Sequence, residues 1–452
     1  MYDLIVIGAG PGGYEAAAHA SQMGKKVALV EEKRVGGTCL NVGCIPAKAF
    51  LRSSSLYREC GEGKPFGVEV GALSFDLPVV VERKDRIVGT LVRGVEGLLK
   101  RSGVPVFNAH ARLINANQVQ VGDELLNTAN VLVATGSRPV VPPVPGIGSD
   151  QVLNSDSVFD LREVPSRVAI IGGGYIGLEL ATFFSEIGAG VVVFEMLPQI
   201  ANGADVDVSE RLLQSLKRAG MTFNLSCRVT GIENGTVLYE DLSAEKGTYA
   251  ADCILNATGR APVVQGVGLE EAGVDFSVKG VRISDQCRTN VSGVWACGDV
   301  TGQHMLAHVA TREGIAAVNN MFGLPDQVRY DATPAVIYTH PEVASAGRTE
   351  EQLKGAGIAY KKAIVPMGVA GRFLIENERG TGFEGAGWRQ VRGDPRRPRH
   401  GRLLQRVDRD RGGAHTNGAV STSCRRGRVP PSDSFRGVTG GSTPTQVGAE
   451  EP

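Results

Sequence analysis

The sequence predicts an α/β fold with two doubly wound, parallel-sheet units. Short apolar strand patterns alternate with helical ones, beginning with Leu4–Ile7, a helix through Ala20 and Val27–Val30. Such runs are what strands buried on both faces of a parallel sheet look like. A glycine pattern follows the first strand and returns, after a second strand of the same kind, 164 residues later. The length, 452 residues, leaves room for about three domains at ~150 residues each.

Composition narrows the class. The chain is 42% hydrophobic and 21% charged, with 48 basic and 48 acidic residues, which excludes wholesale disorder. The balance gives no global reason to expect nucleic acid or an anionic membrane as partner. No run of ~18 uncharged apolar residues occurs; the longest candidate, Val168 to Leu178, ends at Glu179. The first residues pass directly into an apolar strand without a basic leader, so the expected location is cytoplasmic.

The first strand is followed by Gly8-Ala9-Gly10-Pro11-Gly12-Gly13 and a helical pattern, and the second strand ends at Glu31. The unit recurs as Val168–Ile171, Gly172-Gly173-Gly174-Tyr175-Ile176-Gly177, a helix through Ile187, and Val191–Phe194 ending at Glu195. A lone G-x-G-x-x-G means little. Here each copy follows a strand, opens a helix and has an acidic residue 18 positions after its third glycine, the context a dinucleotide site requires. The first glycine permits the turn, the second lets backbone approach a pyrophosphate, and the third allows close helix–strand packing. Two dinucleotides are implied. Glu195 would accept hydrogen bonds from a ribose 2′-hydroxyl and repel a 2′-phosphate, and Met196, Leu197 and Pro198 offer no arginine, so the second unit is expected to take NAD rather than NADP.

Cys39 and Cys44 are separated by four residues, shortly after Glu31. They could be metal ligands, buried structural thiols or a redox pair. Zinc needs two further ligands, and no paired Cys or His cluster supplies them, so no metal site is expected. A redox-active pair beside the first dinucleotide fits best; the remaining cysteines, in apolar strand-like contexts for the most part, read as packing.

The stretch GGTCLNVGCIPAK at 36–48 resembles the redox signature of the pyridine nucleotide–disulfide oxidoreductases, with Ala47 in place of the usual serine. ATGSRP at 134–139, NATGRAP at 256–262, WACGDVTG at 295–302, MLAH at 305–308 and YTHPEVASAGRTEEQL at 338–353 extend the likeness to residue 383, and the last resembles the dihydrolipoyl dehydrogenase members. The resemblance implies two Rossmann-like dinucleotide-binding domains, for FAD (1–145 with 265–330) and NAD (150–264), then a truncated α+β interface domain at 331–383; beyond it an anomalous tail at 384–452, frameshifted or disordered, is expected. It implies FAD at Gly8, Gly10, Gly13, Glu31, Lys48, Ala111, Thr135, Gly136, Ser137, Asp299, Met305, Leu306, Ala307 and His308. NAD is implied at Gly172, Gly174, Gly177, Glu179, Glu195, Val229 and Gly259. Cys39 would exchange with a dithiol, Cys44 would lie nearest the flavin, and Lys48 would pair with Glu179. The implied activity is oxidation of dihydrolipoyl groups of a 2-oxo acid dehydrogenase complex by a homodimer, electrons passing from dithiol to Cys39–Cys44 to FAD to NAD.

The tail departs from that pattern. Residues 384–452 hold 13 Arg, no Lys and 7 Asp or Glu, a charge of +6, and show no period of 2 or 3.6. An out-of-frame continuation, a divergent disordered tail and a basic binding arm all produce such a composition. The family's His-Pro-Thr-x-x-Glu base near the C-terminus is absent; His340 belongs to the THPEVAS match, and neither His400 nor His415 is followed by proline. The sequence therefore leaves room for two other outcomes: a flavoprotein limited to NADH-to-dye reduction, or an unstable, non-enzymatic product of a frameshifted gene.

Overall fold

The computed structural model describes residues 1–376 and two later strands, Gly387–Gly393 and Leu403–Asp408. A five-stranded parallel sheet runs in the order Val106–Asn108, Val27–Glu31, Leu4–Ile7, Val131–Val133, Val294–Ala296. Its residues split by parity. Leu4, Val6, Leu29 and Leu132 pack under helices with Ala16, Ala17 and Ala20, whereas Ile5, Ile7, Val30, Val131 and Val133 pack on the other face with Leu113, Val119 and Val121. The latter three belong to an antiparallel meander, Ala111–Asn115, Gln118–Val121 and Glu124–Asn127. Burial on both faces is why these strands read as continuous apolar runs.

A second parallel sheet, Thr222–Asn224, Gly190–Phe194, Arg167–Ile171, Cys253–Asn256 and Val152–Asn154, is built from chain lying between the fourth and fifth strands of the first. It repeats the same plan. Val168, Ile170 and Val193 face Leu178 and Phe183 of a helix, and Ala169, Ile171 and Phe194 face the meander 228–250 through Val229, Ile232 and Val237. In both sheets the glycine loop leaves the C-terminal end of the central strand, where doubly wound sheets bind ligands.

The helix Leu77–Arg101 is capped by Asp76, which accepts a hydrogen bond from Val79 N at 3.1 Å. Among the described residues no helix is long and apolar enough to cross a membrane.

A third sheet begins with Pro334–Ile337, Glu342–Ala346 and Tyr360–Pro366. Its order places Leu403–Asp408 and Gly387–Gly393 between Glu342–Ala346 and Tyr360–Pro366, all antiparallel. Those two stretches of the expected tail, 384–452, thus form strands in this sheet. Their backbone groups complete the ladder although their sequences lack a strand's alternation, because pairing draws on main-chain donors and acceptors that every non-proline residue carries. The rest of the expected tail, with His400 and His415, lies outside the described residues.

Candidate active site

The first glycine loop is fixed by contact. Gly8 has φ +104°, and a Cβ there would sit 2.3 Å from Ala134 O; one on Gly13 would sit 1.8 Å from Gly8 O. The second loop repeats this: Gly172 has φ +112° and would meet Ala257 O at 2.4 Å, and Gly177 would meet Gly172 O at 2.1 Å. Each helix, Pro11–Gln22 and Tyr175–Glu186, starts after a glycine with no side-chain cap, leaving first-turn amides to meet a phosphate. The acidic residues are held identically. Glu31 accepts from Ala9 N (2.7 Å) and Lys33 N (2.8 Å), and Glu195 from Gly173 N (2.6 Å) and Leu197 N (2.7 Å). A carboxylate has about four acceptor positions, so each keeps capacity for a ribose hydroxyl.

A cavity of about 840 Å³ opens along the first loop, within the range of small-molecule and cofactor sites. Gly8, Gly10, Glu31, Cys39, Cys44, Lys48, Ala111, Thr135, Gly136, Ser137, Asp299, Met305, Leu306 and Ala307 all line it, and the second unit contributes Tyr175, Glu179 and Arg260. Gly13 and His308 are not on its wall. Gly13 packs the helix onto Gly8, and His308 Nε2 donates to Pro334 O at 2.8 Å. Gly172, Gly174, Gly177, Glu195, Val229 and Gly259 are also not among its lining residues. Val229 is buried in the second unit's meander, and Gly259, at φ +131°, precedes the strand Arg260–Pro262.

Cys39 lies in the short helix Gly37–Asn41, and Cys44 is the first residue of the helix Cys44–Gly61. Their thiols hydrogen-bond to each other. That bond and the charge of Lys48 push the Cys44 thiol down to about 7, against burial and Glu179; the same bond, with burial, pushes Cys39 up. A helix N-terminus favours the anion at Cys44 in the same direction. Lys48 stands one turn further on the same face. Its Nζ donates to both oxygens of Glu179, at 3.0 and 2.8 Å. Two turns along, Ser54 Oγ and Arg58 Nε each donate at 2.6 Å to Glu186, so two polar rungs join the Cys44 helix to the Glu179 helix.

Three supporting residues escaped the sequence reading. Tyr338 N donates to Glu179 Oε1 at 3.1 Å, and Lys48 Nζ lies 4.3 Å from the Tyr338 ring centroid. Arg260 donates to Ser137 Oγ (2.9 Å), Ser155 Oγ (2.9 Å) and Asp156 Oδ1 (2.8 Å), and Ser137 Oγ donates to Asp299 Oδ2 at 2.5 Å. Burial pushes the Asp299 carboxyl up, opposed by Ser137 and Arg260. Glu313, fully buried, accepts from Gly298 N at 2.6 Å and from Tyr330 OH at 2.7 Å, and burial pushes its carboxyl up to about 7. Tyr338 and Arg260 stood inside recognised motifs, where an aromatic and a charged residue were available signals; nothing local marked Glu313.

The pyridine nucleotide-disulphide oxidoreductase model matches residues 2–314, and the dimerisation-domain model of the same family matches residues 333–384. The chain belongs to the pyridine nucleotide-disulphide oxidoreductases. It is 39% identical over 391 residues to a dihydrolipoyl dehydrogenase of Trypanosoma brucei brucei, covering 82% of this chain and 81% of that protein. It is 38% identical over 380 residues to the mitochondrial dihydrolipoyl dehydrogenase 1 of Arabidopsis thaliana, covering 81% of this chain and 75% of that protein. The fold is similar to the HOCl-induced flavoprotein disulfide reductase RclA from Escherichia coli, with TM-score 0.77, 24% identity and 90% of each chain covered. As a member of this family the chain is a disulfide oxidoreductase that uses FAD and NAD.

Proposed function

We propose that the chain carries two electrons between a small dithiol of the dihydrolipoyl type and NAD, with Cys39 and Cys44 as the exchanging pair. The observation behind this reading is one cavity wall that combines the first glycine loop, both cysteines and Lys48 with Glu179 from the second unit. Two features suit the cofactors: glycine stands where a Cβ would strike backbone, and Glu31 and Glu195, each held by loop amides, keep acceptor capacity that would serve a ribose hydroxyl. Gly8, Gly10, Glu31, Lys48, Ala111, Thr135, Gly136, Ser137, Asp299 and Met305 to Ala307 would hold FAD, with Gly13 and His308 acting from behind the wall. Gly172, Gly174, Gly177, Glu179, Glu195, Val229 and Gly259 would hold NAD. When bound, FAD would supply a two-electron acceptor beside the cysteines and NAD⁺ a hydride acceptor at the second loop.

The chain's own residues do the rest. In the oxidised pair, an incoming thiolate attacks Cys39 Sγ and displaces Cys44 as a thiolate. Lys48 and the helix N-terminus hold that anion. The second substrate thiol attacks the mixed disulfide, closing the substrate's own disulfide and releasing Cys39. Of the two protons lost by the dithiol, one stays on Cys39, whose high pKa retains it, and one leaves to solvent. Without a His-Pro-Thr-x-x-Glu motif, the incoming thiol must ionise in solvent, which favours slow dithiol turnover beside unimpaired NADH-to-dye reduction. Lipoyl groups of a 2-oxo acid dehydrogenase complex, in the cytoplasm, would be the partners, and the dimerisation-domain match supports a homodimer.

Cys44→Ser tests the division of labour. It should abolish disulfide exchange and spare NADH-to-ferricyanide reduction; equal loss of both would reject the assignment.

A further inference from the structure

The Lys48–Glu179 pair is not closed by its two members. Lys48's side chain is 36% exposed and Glu179's 9%, and both residues line the cavity that the first cofactor would fill. Beside the pair lies Tyr338. It follows the strand Pro334–Ile337 of the third sheet, where Ile337 is buried in the core shared with the Glu179 helix and Val336 lines the cavity. Its ring lies 4.3 Å from Lys48 Nζ, its backbone N–H reaches Glu179 Oε1 at 3.1 Å, and the residue as a whole is 39% exposed. A cation over a ring face is attracted by the ring's quadrupole, more strongly where water is excluded. One residue thus grips both partners, the cation through its ring and the anion through its main chain.

We propose that Tyr338 is a positioning residue for the redox pair, whose ring keeps the Lys48 ammonium at Glu179 and beside Cys44 rather than in solvent. The ring face does this, so phenylalanine should serve and an aliphatic side chain should not. Freed of the ring, Lys48 swings outward, Cys44 loses the cation that favours its thiolate, and Glu179 is left nearby with an opposing charge. The third sheet then contributes to the redox chemistry directly, besides any part in dimer contacts. The inference rests on the proposed role of Cys44, but its readout does not require turnover.

The experiment measures the pH midpoint of Cys44 alkylation by iodoacetamide, read by peptide mass spectrometry on the full-length holoprotein in a Cys39→Ser background. Tyr338→Leu should raise the midpoint by about half a pH unit, and Tyr338→Phe should leave it in place. Tyr338→Met, flexible enough to fill the same space, should act as leucine does and covers the case in which leucine does not fold. In a Lys48→Met background Tyr338→Leu should add no further shift, because the two act as a unit. An unchanged midpoint in the leucine and methionine variants, with only a lower melting temperature, would overturn the proposal and reduce Tyr338 to packing. A midpoint that shifts as expected in a protein without dithiol turnover would leave this inference standing and reject the proposed activity instead.

Discussion

Gly13→Ala and Gly177→Ala place the same added methyl at equivalent points of the two glycine loops, and their effects should separate. The new Cβ would lie 1.8 Å from Gly8 O in the first loop and 2.1 Å from Gly172 O in the second. Reaching even a 3.0 Å contact needs about 1.2 Å of opening at Gly13 and about 0.9 Å at Gly177, and the obstructing atom in each case is backbone. Overpacking of this kind costs about 1–3 kcal/mol of local stability. Ligand binding suffers more, because the loop and the first helical turn move apart just where both must face one pyrophosphate. Losing about two hydrogen bonds to a charged group, at ~1.5 kcal/mol each, weakens binding roughly 100-fold. Flavin content is read from absorbance near 450 nm per chain, and NADH affinity from binding fluorescence. Gly177→Ala should keep its flavin and bind NADH about 100-fold more weakly. Gly13→Ala should lose flavin and keep the NADH site, so each variant's intact site controls for folding. Loss of flavin in Gly177→Ala with retention in Gly13→Ala would refute the assignment of the loops.

Three other outcomes follow from the same geometry. Glu195→Arg places a cation where a ribose 2′-hydroxyl should be received, so the KM for NADH should rise about tenfold and that for NADPH should fall; unchanged NADH kinetics would rule out the carboxylate's role. Glu313 has its carboxyl raised by burial to about 7, above its ordinary value, so the stability it lends is present at pH values below the ordinary carboxyl range and is lost as pH rises through about 7. Glu313→Gln should therefore flatten the fall of the melting temperature between pH 5 and 8, a slope worth roughly 2–3 kcal/mol, and an unaltered slope would assign it to other groups. Lys48→Met strands Glu179 with only the Tyr338 amide, so it should destabilise the chain by about 2–4 kcal/mol in denaturant unfolding, whereas a loss below 1 kcal/mol would mark the pair as solvated.

What could be read from sequence was what short-range sterics dictate. Gly8 and Gly13 recur as Gly172 and Gly177 because a backbone oxygen blocks a side chain at each, and Glu31 and Glu195 recur because a carboxylate there ties down the loop amides. The Lys48–Glu179 pairing came through the family likeness, 131 residues apart, and the structure places the two in contact. Tyr338, Arg260 and Glu313 were missed because their partners are tertiary. Arg260 reaches Ser137 across 123 positions, and Glu313 holds the main chain of Gly298, for which no residue type is a signal. The strands Gly387–Gly393 and Leu403–Asp408 were missed for a related reason: ladder pairing with Tyr360–Pro366 and Glu342–Ala346 is carried by backbone, and their side-chain order has no period of two.

The proposed function assigns to Cys39 and Cys44 the relay of an electron pair between a dithiol and NAD. NAD⁺-dependent oxidation of dihydrolipoamide, followed from pH 6.5 to 9 beside NADH-to-ferricyanide reduction on the same full-length sample, tests it most directly. Dye reduction should proceed throughout, and lipoamide turnover should need Cys44 and rise several-fold per pH unit as the unassisted substrate thiol ionises. Lipoamide turnover that survives Cys44→Ser, or none at any pH while dye reduction proceeds, would contradict it.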